Sequence, residues 1–154
     1  MKLVYNPERD LICTEEDLAY RLIYLIDQYS PAAKDILDVG MGKGYLVKVL
    51  KDSGKNAFGI DLRNLNPEGL LIADANHIPF KDESFDVVTD CYSLADMHDF
   101  QDYEPEDIGK VIKEIKRILR PYGLFMSLAT SRGIRSSFST KQLYEDGYWG
   151  FYQK

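Results

Sequence analysis

Three glycines at alternate positions, Gly40, Gly42 and Gly44, follow a short apolar run, and Asp38 stands two residues before the first of them. Glycine at this spacing lets a chain leave a strand in a tight turn, and it lets the backbone approach a ligand without a Cβ atom in the way. A carboxylate this close to the turn repels a phosphate and attracts a cationic amine. The segment therefore predicts a loop that binds a cationic or zwitterionic small molecule.

The glycine spacing disfavours two other ligands of glycine-rich turns. A dinucleotide-binding turn, Gly-x-Gly-x-x-Gly, needs its third glycine at the position of Tyr45. A phosphate-binding loop of the form Gly-x-x-x-x-Gly-Lys-Ser/Thr needs a glycine in place of Leu37 and a hydroxyl in place of Gly44. Neither NAD nor ATP is therefore expected to bind.

Four motifs, in order along the chain, resemble those of the class I S-adenosylmethionine-dependent methyltransferases. Asp38 and the three glycines are similar to their first motif, Asp/Glu-x-Gly-x-Gly-x-Gly, and Asp61 is similar to the acidic residue that ends their second strand. Residues 74–88 resemble their Asp-Ala, Pro-Phe and Ser-Phe-Asp-Val-Val region, and residues 117–126 resemble Arg-x-Leu-Arg/Lys-Pro-x-Gly followed by an apolar strand. The likeness runs from about residue 36 to 128. It implies a Rossmann-like three-layer α/β sandwich with a mostly parallel twisted sheet, and S-adenosylmethionine as cofactor, with S-adenosylhomocysteine as product.

This resemblance assigns the methionine and ribose parts of the cofactor. Gly40, Gly42 and Gly44 would bring their backbone N–H groups against the methionine portion, and Asp38 would support its ammonium group directly or through water. Asp61 would accept both ribose hydroxyls with its two oxygens. The alternative for Asp61 is a helix cap or turn residue.

The adenine and the amine have their own predicted contacts. Leu62 would cover the adenine ring, Asp74 would accept its amino group, and the Ala75 N–H would reach the ring. Asp90, at the end of the fourth strand, would offer its carbonyl oxygen to the amine. Its alternative is an ordinary polar residue at a strand end.

Methyl transfer depends mainly on in-line positioning, because the sulfonium is already a strong leaving group and a base matters only when the acceptor must lose a proton. A catalytic residue therefore need not stand out in the sequence. The candidates follow the fourth strand: Tyr92, Asp96 and His98. A surface position is the alternative for His98. No metal site is expected.

Hydrophobic periodicity places the elements that would carry these residues. Helices are predicted over 15–29, 45–53 and 106–119, and strands over 35–39, 56–60, 70–73, 85–90 and 123–129, followed by a final helix and strand over 140–152. Alternation of strands and helices predicts a parallel sheet covered on both faces.

Two departures from the family pattern are expected. The second crossover, residues 62–69, is too short for the usual helix, so we predict a turn there. At the C-terminal end the sequence predicts a sheet without the usual antiparallel seventh strand, which makes this a small, C-terminally shortened member of the family. The aromatic strand over 148–152 would then be an exposed edge, which predicts a homodimer or a partner subunit.

Length and composition predict one domain of 154 residues: an N-terminal tail and helix over 1–30, a cofactor-binding core over 31–129 and an acceptor-side segment over 130–154. With 45% hydrophobic residues the chain can build a core, and no stretch resembles a membrane span or signal peptide. Two cysteines without metal or redox spacing favour the cytoplasm.

A net charge of −6 disfavours binding to the phosphate backbone of nucleic acid. An acidic run over 96–107 and a basic segment over 132–141 would flank the mouth of the site; the alternative for both is a solvated loop. The Asn/Asp-Pro-Pro-Tyr/Phe motif of amino-methylating enzymes is absent, and the fifth strand lacks the lysine of ribose-methylating enzymes. We therefore predict a methyltransferase acting on a small molecule or a protein. The alternatives are a non-catalytic module that binds S-adenosylmethionine and an RNA methyltransferase.

Overall fold

A single seven-stranded sheet forms the centre of the protein. The computed structural model describes residues 15–64, 70–91, 93, 105–128, 142–145 and 149–154. The strands are β1 Asp35–Val39, β2 Asn56–Asp61, β3 Leu71–Ile72, β4 Phe85–Cys91, β5 Leu119–Leu128, β6 Gln142–Glu145 and β7 Trp149–Gln153, and the helices are α1 Glu15–Tyr29, α2 Tyr45–Asp52 and α3 Pro105–Ile118. The strand order is β3-β2-β1-β4-β5-β7-β6. The pairs from β3 to β5 are parallel, and β7 is antiparallel to both of its neighbours.

The central strands are apolar on both faces because helices cover the sheet on both sides. On one face, Leu37 and Val39 of β1 share a buried cluster with residues of α3 such as Ile112. On the other face, Ile36 belongs to a second buried cluster that includes Leu22 of α1. The three-layer sandwich predicted from the sequence is confirmed. Among the described helices, none has the length and apolar composition needed to cross a membrane.

The second crossover is as short as the sequence indicates. The chain leaves β2 at Asp61 and enters the parallel strand β3 at Leu71. Residues 65–69, where a turn was predicted instead of a helix, lie outside the described residues. The strand β3 itself is shorter than predicted, with only Leu71 and Ile72 in the ladder.

The C-terminal part of the sheet corrects the prediction of a missing seventh strand. The aromatic strand β7 lies between β5 and β6 and is antiparallel to both, so it is an interior strand and not an exposed edge. Its Phe151 and Tyr152 are fully buried. The sequence prediction was wrong because β6 has only four residues, Gln-Leu-Tyr-Glu, too few to show a strand period, and a helix was predicted there instead. An antiparallel pair needs only a short connection, so residues 146–148 suffice to join β6 to β7.

An ionic network holds the amino ends of the strands, at the end of the sheet opposite the glycine loop. The backbone N–H groups of Lys34 and Asp35 donate to one carboxylate oxygen of Asp86, at 2.8 and 2.9 Å. Arg120 donates to Asp86 and to the Asp35 carboxylate, both at 2.8 Å. Two residues of the motifs quoted above, Asp86 and Arg120, therefore support the fold and not the candidate site.

Candidate cofactor-binding site

The carboxyl ends of β1, β2 and β4 meet at one edge of the sheet, where parallel strands commonly bind ligands. Val39, the last residue of β1, pairs with Ile60 on one side and with Asp90 on the other. This register places Asp38, Asp61 and Asp90 close to one another across three neighbouring strands. All three are buried.

The glycine loop that leaves β1 requires its glycines for conformational reasons. Gly40, Gly42 and Gly44 have φ angles of +72°, +54° and +73°. These angles lie in the left-handed region, which residues with a Cβ atom adopt only at an energetic cost. A Cβ atom on Gly42 would meet nothing within 4 Å, so its backbone borders open space. Gly44 is the N-cap of α2.

The N–H groups of Gly40, Gly42 and Gly44, for which contacts with the cofactor stay a prediction, each donate a hydrogen bond within the protein. Gly40 and Met41 both donate to the carbonyl oxygen of Ile60, at 2.8 and 3.1 Å, and Gly44 donates to Met41 at 2.9 Å. Gly42 donates to the Asp61 carboxylate at 3.0 Å. The glycines therefore shape the loop, and the groups that the site presents to a ligand are mainly hydrogen-bond acceptors.

Asp61 is the anchor of the loop and remains ionised. Its Oδ2 accepts the Gly42 N–H, and its Oδ1 accepts the Arg63 N–H at 2.9 Å and the Arg63 Nε at 3.3 Å. Burial raises the pKa of Asp61, but the bonds from Arg63 and Gly42 outweigh burial and lower it below the usual value. A carboxylate has about four acceptor positions, so a further donor can still bind. The side chain of Arg63 is 70% exposed and can move aside for it.

Asp38 differs from Asp61 because, among the described residues, Thr89 is the donor that opposes the effect of its burial. Only 3% of its surface is exposed, and the Thr89 hydroxyl donates to its Oδ1 at 2.8 Å. Burial raises the pKa of Asp38 to about 7, and the negative charges of Asp90 and Asp61 add to the increase while the bond from Thr89 opposes it. A cation placed beside Asp38 would favour its ionised form.

Asp90 is fully buried and bonded to two serine hydroxyls. Ser127 of β5 donates to its Oδ2 at 2.9 Å, and the hydroxyl of Ser93 contacts its Oδ1. Ser93 also donates to the carbonyl oxygen of Val39 at 2.9 Å. The contacts of Ser93, Ser127 and Thr89 with the acids of the site were not predicted from the sequence. The available signal was a hydroxyl residue near the end of each of two adjacent strands.

Cys91 lies beside these acids, and its surroundings disfavour the thiolate form. Burial, followed by the charges of Asp38 and Asp90, raises the pKa of Cys91 well above its ordinary value. A thiol that stays protonated is a poor nucleophile.

The predicted adenine contacts lie on the turn after β3. Asp74 accepts two bonds on Oδ1, from the Asn76 N–H at 2.8 Å and from its side-chain amide at 3.1 Å. Within the described part of the chain no group donates to its Oδ2. Ala75 is buried beside it, and Leu62, after β2, is 52% exposed, which suits a residue that would close over a ring.

The acceptor-side candidates lie outside the described residues. These are Tyr92, Asp96 and His98, the acidic run over 96–107 and the basic segment over 132–141. In the part of the chain that the structure describes, no group of three His, Cys, Asp or Glu side chains could hold a metal ion.

A known protein family matches the part of the chain that carries the candidate site. The sequence profile of a methyltransferase domain family covers residues 37–127, more than half of the chain. Two curated relatives have names that refer to quinones. The ubiquinone/menaquinone biosynthesis C-methyltransferase of Rickettsia prowazekii is 31% identical over 120 residues, which are 64% of this chain and 45% of that protein. The demethylmenaquinone methyltransferase of Lactobacillus johnsonii is 34% identical over 124 residues, which are 80% of this chain and 43% of that protein. The chain thus spans about half the length of the curated relatives it matches.

Solved structures share the fold. A protein of Pyrococcus horikoshii superposes with a TM-score of 0.69 at 17% identity, over 91% of this chain and 92% of the other. An S-adenosylmethionine-dependent methyltransferase of Aquifex aeolicus superposes with a TM-score of 0.61 at 16% identity, over 85% and 87%. At these identities the similarity establishes the architecture.

Proposed function

Because the chain belongs to the family of class I S-adenosylmethionine-dependent methyltransferases, whose cofactor is S-adenosylmethionine, we propose that it transfers a methyl group from this cofactor to a small molecule. The observation that carries the proposal is the distribution of donors and acceptors in the site. Four N–H groups of the loop, those of Gly40, Met41, Gly42 and Gly44, are bonded to the protein. Three buried carboxyl groups, Asp38, Asp61 and Asp90, lie near the ends of the neighbouring strands β1, β2 and β4.

The cofactor has the complementary chemistry. It carries a sulfonium and an ammonium group, and its ribose hydroxyls and adenine amino group are hydrogen-bond donors. Asp61 is suited to the ribose because it is ionised and has an acceptor position left, and Asp74 is suited to the adenine amine through Oδ2. Asp38 is suited to the ammonium group, whose charge would favour ionisation of this carboxyl.

The reaction itself is a displacement at the methyl carbon. A nucleophilic atom of the acceptor forms a bond to the methyl group, the bond to sulfur breaks with its electron pair moving to sulfur, and a neutral thioether leaves. If the acceptor atom carries a proton, that proton must pass to a base or to water. The protein contributes chiefly by holding the two reactants in line.

A small-molecule acceptor is supported by the curated relatives and by charge. The names of the relatives from Rickettsia prowazekii and Lactobacillus johnsonii refer to quinones, which favours a quinone-type ring as the acceptor here. The net charge of −6 opposes a long nucleic acid.

A survey of labelled methyl transfer tests this proposal. The protein and labelled S-adenosylmethionine are incubated with total RNA, DNA, protein and organic-soluble metabolite fractions, and an unprenylated naphthoquinol is included as a defined ring. We expect label in the metabolite fraction, and a strong loss of that label for Asp61→Ala.

Two results of the survey would contradict this acceptor class. Label mainly in RNA or DNA that disappears when Arg132 and Arg135 are changed to Ala would indicate a nucleic-acid enzyme. Tight binding of S-adenosylhomocysteine without transfer to any fraction would instead support the non-catalytic module.

Association with a second copy or a partner subunit stays a prediction, as does a cytoplasmic location. The sequence predicted β7 as the strand that makes this contact. Because β7 is an interior strand and β6 lies at the C-terminal edge of the described sheet, such a contact would involve β6. Sedimentation over a range of concentrations measures whether the chain associates.

A further inference from the structure

Arg117, in the last turn of α3, binds the segment that follows the turn with the predicted adenine contacts. We call this turn, residues 74–77, the adenine-side turn. Nη1 of Arg117 donates to the carbonyl oxygen of Phe80 and Nη2 donates to that of Ile78, both at 2.8 Å. Nη1 also donates to the Asp82 carboxylate at 2.8 Å. One guanidinium group therefore holds three residues of the segment after the adenine-side turn.

Glu114, one turn earlier in α3, completes this cluster. Its Oε1 accepts the Arg117 Nε at 2.8 Å, and its Oε2 accepts the Arg117 Nη2 at 2.8 Å and the Ile78 N–H at 2.9 Å. The bond from Arg117 lowers the pKa of Glu114, so this carboxyl is ionised at neutral pH. A planar guanidinium that meets a carboxylate through two parallel bonds has a defined orientation. The pair therefore binds both the N–H and the carbonyl group of Ile78 as one unit.

Ile78 directly follows the adenine-side turn and transmits this attachment to it. Inside the turn, the His77 N–H donates to the carbonyl oxygen of Asp74 at 2.9 Å. Ala75 and Ile78 are both buried and belong to the same apolar cluster as residues of α3. The position of Asp74 is thus connected to α3 through a short, hydrogen-bonded stretch of backbone.

The other end of the adenine-side turn is attached to the sheet and not to α3. The Ala73 N–H donates to the carbonyl oxygen of Asp61, at the end of β2, at 3.0 Å. Loss of the Arg117 side chain therefore leaves the attachment to β2 and removes most of the attachment to α3. The turn would remain formed but would be held firmly at one end instead of two.

We propose that Arg117 and Glu114 are positioning residues that fix the adenine-side turn against α3 and thereby direct Asp74 toward the adenine amino group. This inference rests on the proposed binding of S-adenosylmethionine and on the predicted role of Asp74. Hydrogen bonds weaken steeply when their distance and angle depart from the ideal. A turn that is released at one end therefore loses its selectivity for the amino group.

The binding test measures this selectivity with two ligands. S-adenosylhomocysteine is compared with its deamino analogue, which carries purine in place of adenine and so lacks only the amino donor. The wild-type protein should bind the analogue about ten- to a hundredfold less tightly. For Arg117→Ala we expect the two Kd values to differ less than about threefold.

Arg120→Ala is the matched control for the loss of an arginine network. Arg120 donates two bonds at 2.8 Å, to Asp35 and Asp86, but at the amino ends of the strands. The side chains of Arg117 and Arg120 are 30% and 39% exposed, so both substitutions remove a half-buried guanidinium group. Arg120→Ala should keep the wild-type selectivity within about threefold. A general loss of stability would affect both variants alike.

Two conservative variants keep the test decisive if Arg117→Ala does not fold. Arg117→Lys retains the charge but lacks the planar fork, so its selectivity should lie between those of the wild type and Arg117→Ala. Glu114→Gln retains the size but offers one oxygen instead of two, so it should also reduce selectivity. Wild-type selectivity in both variants, or an equal loss of selectivity in Arg120→Ala, would overturn the proposal.

A second test needs no ligand. Amide hydrogen exchange is measured for His77 and Ile78, with the amides of β4 as the reference. In Arg117→Ala we expect both amides to exchange at least about tenfold faster relative to β4, because the turn opens without global unfolding. In Arg120→Ala their exchange relative to β4 should not change. Unchanged relative exchange in Arg117→Ala would show that α3 does not hold the turn.

The inference and the proposed function can fail separately. If the wild-type protein does not bind S-adenosylhomocysteine, the proposed function fails, and hydrogen exchange still decides whether Arg117 holds the turn. If the wild type binds this ligand and its deamino analogue equally, Asp74 does not read the amino group, and the inference fails while methyl transfer stands.

Discussion

Asp38 is a buried carboxyl group whose charged neighbours, Asp90 and Asp61, are also acidic. With its pKa at about 7, it is partly protonated at neutral pH when no ligand is bound. If it pairs with the ammonium group of the cofactor, it must release its proton on binding. Affinity then rises as the pH rises toward the pKa of Asp38.

We predict that the Kd of S-adenosylhomocysteine falls by up to about tenfold per pH unit from pH 5.5 toward 7 and levels off above it. Adenosine, which has no ammonium group, should show little of this dependence, and Asp38→Asn should bind weakly at every pH. Isothermal calorimetry measures all three. Equal pH dependence for S-adenosylhomocysteine and adenosine would show that Asp38 does not face the ammonium group.

At Asp61, one carboxylate both anchors the glycine loop and is proposed to bind the ribose. Removing it costs charged hydrogen bonds of about 1.5–3 kcal/mol, so Asp61→Ala should weaken S-adenosylhomocysteine about ten- to a hundredfold. Asp52→Ala on the exposed surface of α2 is the control, and it should leave the Kd unchanged.

A 2′-deoxy analogue separates the two roles of Asp61. Wild-type protein should discriminate against the analogue, whereas Asp61→Ala should bind it about as well as the parent ligand. If the variant still discriminates, Asp61 supports the loop without contacting the ribose.

Among the elements, β7 is the one whose observed position differs most from the position predicted from the sequence. Phe151 of β7 is fully buried, and it packs against Tyr29 of α1 with the ring centroids 5.2 Å apart. Truncating a buried phenylalanine usually costs about 3–5 kcal/mol, through lost burial and the cavity that remains.

We therefore predict that Phe151→Ala lowers the free energy of unfolding by about 3–5 kcal/mol in denaturant titrations. Phe151→Leu, which keeps much of the volume, should cost less. The control is Tyr122→Ala in β5, where the side chain is 78% exposed and the change should lie within about 0.5 kcal/mol. A loss that small for Phe151→Ala as well would mean that β7 is an exposed edge after all.

At the scale of the whole molecule, four carboxyl groups among the described residues link stability to pH in opposite directions. Asp38 has a raised pKa, so it holds its proton in the folded protein from pH 3.8 to about 7 while the unfolded chain has lost it. Its contribution to stability is therefore complete below pH 3.8 and is lost as the pH rises to about 7. Hydrogen bonds lower the pKa of three other carboxyl groups: Asp61, Asp86, which accepts bonds from Arg120 and from two backbone N–H groups, and Glu114 of α3, which accepts bonds from Arg117. Their contributions are therefore present above the ordinary carboxyl range and are lost as the pH falls below it.

We predict that the ligand-free protein is most stable near pH 4 to 5, and that its free energy of unfolding falls on the order of 1 kcal/mol per pH unit toward pH 7. Asp38→Asn should remove most of this decline and keep the loss of stability in acid. Urea titrations at half-unit pH intervals measure both profiles. A wild-type maximum at pH 7, unchanged in Asp38→Asn, would contradict the raised pKa.

The structural features that could be predicted from the sequence alone are either local or repeated along the chain. The positive φ angles of Gly40, Gly42 and Gly44 were predictable because only glycine adopts them cheaply, and the helices and parallel strands from α1 to β5 were predictable from their hydrophobic periods. The placement of Asp38 and Asp61 at one edge of the sheet follows from parallel topology, which the alternation of elements implies.

Which atoms form hydrogen bonds with each other could be learned only from the tertiary structure. The carbonyl oxygen of Ile60 accepts the Gly40 N–H, and Ser93 reaches back to Val39, because each partner lies on another strand and hydrogen bonds between strands depend on register. The formation of β6 also depends on contacts with another strand. Four residues carry no periodic signal, so this strand exists because β7 offers it a partner and not because its own sequence demands it.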